Sequence, residues 1–312
     1  MTTEAGMESG PGPWSEARIG AAAAQPISWG QRYFWSVQRE LWENRAIYVA
    51  PLALAGGIVV AYLIGARHRL HSLRAVARAN IVIQSGDIAS SYGFVSLLIM
   101  GVTLLVAVFY CLSALYGERR DRSILFWKSL PVSDWTAVLA KASIPILVVP
   151  LVTFATTVAT HVVMAAIDTV TVKAGGLSLA QFWSNLSLFQ MWGGLLYHLI
   201  TVHAFWYAPL FGWLLLSSAW ARRLPILWAI LPPAAIAIVE KIAFNTSYFA
   251  DMLRDRLGGP VGTDSSGTLS MAGMSMGGPL EYLTNPGLWI GLALTAVFLA
   301  GAVRLRKMRG AL

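Results

Sequence analysis

One cysteine in 312 residues leaves Cys111 without a second thiol, which excludes a disulfide framework and any cysteine-based zinc site. Charge is also scarce: 12% of the chain is Asp, Glu, Lys or Arg, against 56% apolar residues and a mean hydropathy of +0.61. Soluble globular domains carry about twice that share of charge, so the composition points to a protein integral to a membrane. Signatures of catalysis are missing as well. None of the lysines Lys128, Lys141, Lys173, Lys241 and Lys307 follows a glycine, which a phosphate-binding loop needs so that its backbone can wrap the phosphates. There is no H-E-x-x-H pair, no G-x-S-x-G turn and no carboxylate cluster at general acid and base spacing. Neither enzymatic activity nor a cofactor is expected of this chain.

Met1 to Gln25 is rich in Gly, Pro and Ala and carries acids, so no cleavable signal peptide is expected and the first spanning helix would act as its own insertion signal. The net charge of +8 raises nucleic acid as a partner. The basic residues, however, flank apolar runs instead of forming one patch, which fits bilayer orientation and not phosphate tracking.

A hydrocarbon core of ~30 Å needs about 20 mainly apolar residues per helix. Six runs meet that length, at about 47–65, 94–115, 144–167, 191–217, 225–244 and 286–303. The expected fold is all-α and polytopic: a disordered tail over 1–27, an interfacial helix over 28–46, a six-helix membrane domain over 47–304 and a tail over 305–312. Placing both termini in the cytoplasm puts 15 of the 23 Lys and Arg inside and 8 outside, as the positive-inside rule requires. The expected location is a bacterial cytoplasmic membrane. The basic stretch 66–80 falls on the outer side against that rule; it reads either as a helix on the outer headgroups or as a solvated loop.

Ahead of the first run, helical spacing groups Tyr33, Phe34, Val37 and Leu41 on one side and Arg32, Ser36, Arg39 and Glu43 on the other, with Trp35 and Trp42 at the flanks. This pattern predicts an amphipathic helix at the membrane surface, broken only by Glu40 on the apolar arc.

The inward segment 116–142 holds the densest pattern. Between Ala114 and Ala142, Glu118, Arg119, Arg120, Asp121, Arg122, Lys128 and Asp134 are interleaved with Ile124, Leu125, Phe126, Trp127 and Leu130. A helix built this way shows charge on one side and bulky apolar groups on the other, until Pro131 forces an exit. Ser133 can then cap a helix that starts at Asp134 and runs into the third span. A short amphipathic helix just below the bilayer offers a grip to a soluble partner.

Here the chain resembles the ABC-2 type permeases, the membrane subunits of ATP-binding-cassette transporters. The resemblance is carried by Glu118-Arg119, Ser123, the apolar run Ile124 to Trp127, Leu130-Pro131-Val132-Ser133 and Lys141, over some 25 residues. It is supported by Arg39-Glu40-Leu41 in the preceding helix and by a long outer segment, 245–285. It departs at Arg122, where the family commonly has glycine. The resemblance implies a half-transporter, an exporter by expectation, that pairs with a second copy of itself and is driven by a separate cytoplasmic ATPase, which binds the ATP and Mg2+. The coupling residues it implies are Glu118, Arg119, Arg120, Asp121, Ser123, Phe126, Trp127, Leu130 and Pro131.

Other polar groups lie inside the apolar runs. His161, His198 and His203 are read as interhelical hydrogen-bond partners or as a proton relay, and Glu240 with Lys241 as residues snorkelling to the interface or as substrate contacts. Pro145, Pro150, Pro209, Pro232 and Pro233 are expected to kink helices. In the outer segment, Met271, Met274 and Met276 are candidate ligands for a soft ion such as Cu(I), or pliable packing. Two rival functions remain: an ion-driven secondary transporter, which needs buried ionisable groups, and a membrane scaffold or receptor that recruits a cytoplasmic protein.

Overall fold

Inside a bilayer a backbone can hydrogen-bond only to itself, and a chain so poor in charge answers that constraint with helices. A computed structural model describes residues 28–79, 85–125, 132–176, 178–184, 187–258 and 283–309, with side chains excepted at 72–79, 85–88, 181 and 184; every regular element among them is helical. In order these are α1 (Trp29–Glu43), α2 (Ala46–Ala79), α3 (Ser85–Arg120), α4 (Asp134–Ser143), a π-helical segment Ile144–Val148, α5 (Val149–Ala174), α6 (Leu179–Ser184), α7 (Leu188–His198), a second π-helical segment Leu199–Trp206, α8 (Ala208–Trp220), α9 (Pro225–Phe244), α10 (Tyr248–Gly258) and α11 (Pro286–Met308).

Five stretches are long and apolar enough to cross a membrane: Ala46–His71, Ala89–Arg120, Asp134–Ala174, Pro225–Phe244 and Pro286–Met308. Leu188–Trp206 and Ala208–Trp220, bent by 44° at their break, make a sixth if counted as one span. Helices of this kind mark an integral membrane protein. The expected runs locate them, but the helices overrun most of the expected ends, because a hydrogen-bond ladder continues through polar residues until something breaks it. Residues 66–79 contain no Pro or Gly and are rich in Arg, Leu and Ala, good helix formers, so α2 runs straight through them. The basic stretch is therefore, as far as Ala79, neither a separate surface helix nor a loop.

α4 starts ten residues before the expected 144, where Ser133 Oγ accepts the Thr136 N–H at 3.1 Å. α11 continues past 303 to Met308, its last turn carrying Arg306 and Lys307, which suit the negative end of a helix. The inward connection thus shrinks from 116–142 to residues 121–133. Within it, only the single turn Ser123–Leu125 is helical among the described residues. The outer segment 245–285, expected as a loop, contains α10.

The prolines act unequally. Pro145 lies in the first π-helical segment, and the second ends just before Pro209, with Tyr207 N reaching back five residues to Val202 O at 3.0 Å. A proline lacks the N–H that would close a regular turn, so a wider turn takes its place. These two segments touch each other, which sets the two breaks side by side in the bundle. Pro232 and Pro233, by contrast, lie inside an unbroken α9.

α8 is the hub, packed on α3, α11 and α9, while α2 lies along α5 and α3. The core is built around Phe211, Leu215, Cys111, Ala107 and Ile144, all fully buried. Ala229 is the one buried residue of α9, and most of α2 as far as His71 is likewise uncovered, which leaves these two helices to face lipid or another subunit.

Candidate functional site

The residues that matter gather at one end of the bundle, where α1, α3, α4 and α11 meet. Glu118, near the end of α3, forms ion pairs with Lys141 of α4 at 3.1 Å and Arg39 of α1 at 3.5 Å, and it accepts a hydrogen bond from Nη1 of Arg306 of α11. Lys141 Nζ also donates to Glu40 Oε1 at 2.8 Å, and Arg306 Nε donates to Asp134 Oδ1 at 2.9 Å. Arg39 Nη2 donates to Glu40 Oε1 at 2.6 Å, and the hydroxyl of Tyr110 donates to Glu40 Oε2 at 2.8 Å. Three acids thus face three cations, with Glu40, Glu118, Lys141 and Arg306 all buried. Burial by itself pushes the Glu40 carboxyl up, but the Lys141 ammonium and the Arg39 guanidinium outweigh it and hold the group below the usual carboxylate range.

Glu40 explains its own misfit. On sequence it interrupts an apolar arc; in the fold Ser36 and Glu40 are the buried residues of α1, flanked by Val37 and Leu41 on the core. The helix therefore turns toward the protein a face that combines apolar contact with one charge, and leaves Trp29, Phe34, Trp35 and Trp42 exposed. Ser36, assigned to the polar outer side, is buried and donates to Arg32 O at 2.7 Å.

Arg119 does something different from its neighbour. It meets no carboxylate among the described residues; its guanidinium donates to the carbonyls of Ser218 at 2.7 Å and Ala221 at 2.8 Å, closing the end of α8, whose last carbonyls lack helical partners. Arg309 likewise donates to Trp220 O. Of Glu118 and Arg119, Glu118 alone pairs with opposite charges among the described residues. Arg120 and Asp121 form an exposed pair at 3.0 Å, and Ser123 Oγ donates to Glu118 O at 3.4 Å. Arg122, which stands where glycine is common in the resembling family, has φ +57°, the left-handed conformation that glycine adopts without cost. Phe126, Trp127, Leu130 and Pro131 lie outside the described residues, as do Met271, Met274 and Met276.

From this cluster a polar seam runs up one face of α3, through Glu118, Tyr110, Thr103, Ser96 and Tyr92, spaced seven or eight residues apart and then four. Thr153 of α5 donates to Thr103 at 2.8 Å, and Ser96 Oγ lies 3.3 Å from Nε2 of His161. His161 also reaches Tyr92 O at 3.0 Å and accepts the Trp192 indole N–H at 3.2 Å, as expected of an interhelical partner. At the far end Asp168 accepts the hydroxyls of Tyr62 at 2.7 Å and Tyr92 at 2.9 Å, with Arg69 Nε at 3.8 Å. This acid joins α2, α3 and α5. Sequence reasoning missed it, because Asp168 falls one residue past the expected run. The available signal was its position seven residues after His161, on the same helix face.

His203 is buried against Tyr207 and Phe211, and its Nε2 has no hydrogen-bond partner among the described residues. Glu240 is held by the segment that follows it. It accepts the backbone N–H groups of Tyr248 at 2.8 Å and Phe249 at 2.9 Å and the Thr246 hydroxyl at 2.9 Å, capping α10. The chain reverses at Asn245, φ +50°, and α10 turns back toward the bend of α7 and α8: Trp206 Nε1 donates to Arg256 O and the Tyr207 hydroxyl to Leu257 O, each at 3.2 Å. The Arg256 guanidinium lies 4.3 Å over the Trp206 ring and donates to Gly287 O at 3.2 Å. It rests on Gly291, where an added Cβ would fall 1.4 Å from Nη2.

No group of three or more His, Cys, Asp or Glu able to hold a metal ion is present among the described residues. Compared with protein-family models, with curated proteins and with solved structures, the chain has no significant match.

Proposed function

We propose that this protein is the permease subunit of an ABC-2 type transporter, an exporter whose ATP-hydrolysing subunit is a separate cytoplasmic polypeptide. The observation that supports the reading is the six-charge cluster, four of whose members are buried. The residues that carry the family resemblance at either end of the inward connection, Glu118 and Lys141, are in contact with each other. They also join the two helices that flank the connection to α1 and α11.

On this reading the six spans include the bent α7–α8 pair, α1 lies at the cytoplasmic surface with its tryptophans among the headgroups, and both termini are cytoplasmic. Residues 121–133 form the part a cassette ATPase grips, with Asp121 and Leu125 exposed within it and Arg120 exposed beside it. A push there acts on the ends of α3 and α4, and the ion pairs carry it to α1 and α11 together. Arg119 adds α8 through its carbonyls. α3, at 36 residues about 54 Å long, would carry the displacement to the Asp168 end as one lever. Two copies would enclose the route, meeting through helices the monomer leaves exposed.

The test is reconstitution of the full chain in liposomes with a cassette ATPase encoded beside it, following ATP hydrolysis and cargo flux together. Glu118→Gln should leave the complex assembled and hydrolysis running while flux falls. Wild-type flux in that variant would overturn the coupling role, and absence of ATP-dependent flux from the wild-type pair would favour the scaffold or receptor reading. Asp168 gives the ion-driven alternative the buried acid it requires. If Asp168→Asn abolishes flux driven by an ion gradient in liposomes lacking any ATPase, the protein is a secondary transporter instead.

A further inference from the structure

Between α8 and α9 a cavity of about 80 Å³ is lined by Trp213, Leu216, Ser217, Trp220, Trp228 and Pro232. Its origin is the proline pair. Pro232 and Pro233 have no N–H, so the carbonyls of Trp228 and Ala229 lose their usual donors four residues on. The Trp213 indole makes good one loss, donating to Ala229 O at 2.9 Å, and this bond holds α8 and α9 apart at the width of an indole. Trp220 and Trp228 stack near the mouth at 5.9 Å and are each close to half exposed, so the cavity opens sideways from the bundle.

Two features point to an occupant. Ser217, 3% exposed, lies in the wall, and its hydroxyl has no hydrogen-bond partner among the described residues, a costly arrangement in an apolar setting. Beyond Trp220 the short connection to α9 carries Arg222 and Arg223, both exposed, and neither forms an ion pair with a described carboxylate. Along α8 toward its end the chemistry runs from an apolar wall, through a hydroxyl and two indoles, to two guanidinium groups. A glycerophospholipid presents the complementary series: acyl chain, ester carbonyl, interfacial glycerol and phosphate.

We propose that this cleft binds an anionic glycerophospholipid from the leaflet at the Glu118 end of the bundle, with its acyl chain against Leu216 and Pro232, an ester carbonyl on Ser217 and its phosphate at Arg222 and Arg223. A second copy of the chain fits worse, because a two-fold contact through this patch would bring Arg222 and Arg223 against their own equivalents. The assignment does not depend on an ATPase partner.

The test is photo-crosslinking of the full-length protein in nanodiscs with phosphatidylglycerol carrying a photoactivatable acyl chain, mapped by peptide mass spectrometry. Labelling should concentrate between Trp213 and Pro232. Arg222→Gln with Arg223→Gln, both on the surface, should lower it by roughly fivefold for each arginine removed, while labelling on α2 stays constant. Ser217→Ala should lower it further without lowering thermal stability. A phosphatidylcholine probe of the same chain length should label the cleft less at equal concentration. Even labelling over the exposed faces of α2 and α9, equal labelling by the two lipids, or no change in the double-arginine variant would each overturn the proposal.

Discussion

Replacing Glu118 by Ala removes an acid paired with three cations on three helices, and the structure sets the size of the effect. Glu118 faces Lys141 at 3.1 Å, Arg39 at 3.5 Å and Arg306. At an effective dielectric near 20 each such contact is worth roughly 5 kcal/mol before desolvation is subtracted, and desolvation removes several kcal/mol per ion. Breaking a buried pair from one side typically costs about 3–5 kcal/mol, because the surviving charge stays buried and unpaired. Here all three survivors keep a partner, Lys141 and Arg39 on Glu40 and Arg306 on Asp134, so the low end, about 3 kcal/mol, is expected.

The protein carries its own reporter. Cys111 is the single cysteine and is fully buried, so its reaction with a thiol-specific dye during heating follows unfolding. At ~2–4 °C per kcal/mol, Glu118→Ala should lower the midpoint by ~6–12 °C. Glu118→Gln combined with Lys141→Met leaves two acids facing two cations, and should recover at least half of the loss that the two single changes sum to. A midpoint within about 1 °C of wild type for Glu118→Ala, or a double variant whose loss equals that sum, would refute the cluster as one coupled unit.

Three further outcomes follow from particular residues. Because the Glu40 carboxyl is held below its ordinary value, its contribution to stability is complete above about pH 4.5 and is lost as pH falls through the depressed value; thermal midpoints followed by circular dichroism across that range should show the step in wild type and not in Glu40→Gln. Arg122→Gly relieves a left-handed backbone position and should raise stability by about 0.5–1 kcal/mol, read in the same assay, whereas a lowered midpoint would mean the side chain contributes more than the strain costs. Gly291→Ala places a methyl group where the Arg256 guanidinium rests, so hydrogen exchange across Tyr248–Gly258 should accelerate. Added to Arg256→Ala, the same change should have no further effect.

Much of the fold was legible because bilayer crossing is a local property. A run of about 20 apolar residues must be helical wherever it lies, so the candidate crossings were found without any knowledge of neighbours. Local caps were legible too: Ser133 caps α4 as its position before Asp134 predicts. The helix ends were less so, since hydropathy marks where lipid stops and not where hydrogen bonding stops, as α2 and α11 illustrate.

What the amino-acid sequence determined by itself was therefore the helical, membrane-embedded class of the protein and the concentration of charge around Glu118. Only the tertiary structure decided what those charges do. Glu40, Lys141 and Arg306 are separated from Glu118 by long stretches of chain, and nothing local tells a carboxylate facing solvent from one facing an ammonium on another helix. The same holds for Glu40, an apparent flaw in an amphipathic pattern that becomes the partner of Lys141, and for Asp168, clasped by Tyr62 and Tyr92. An isolated charge in a low-dielectric interior is so unfavourable that its partners govern its role, and partners are chosen by packing.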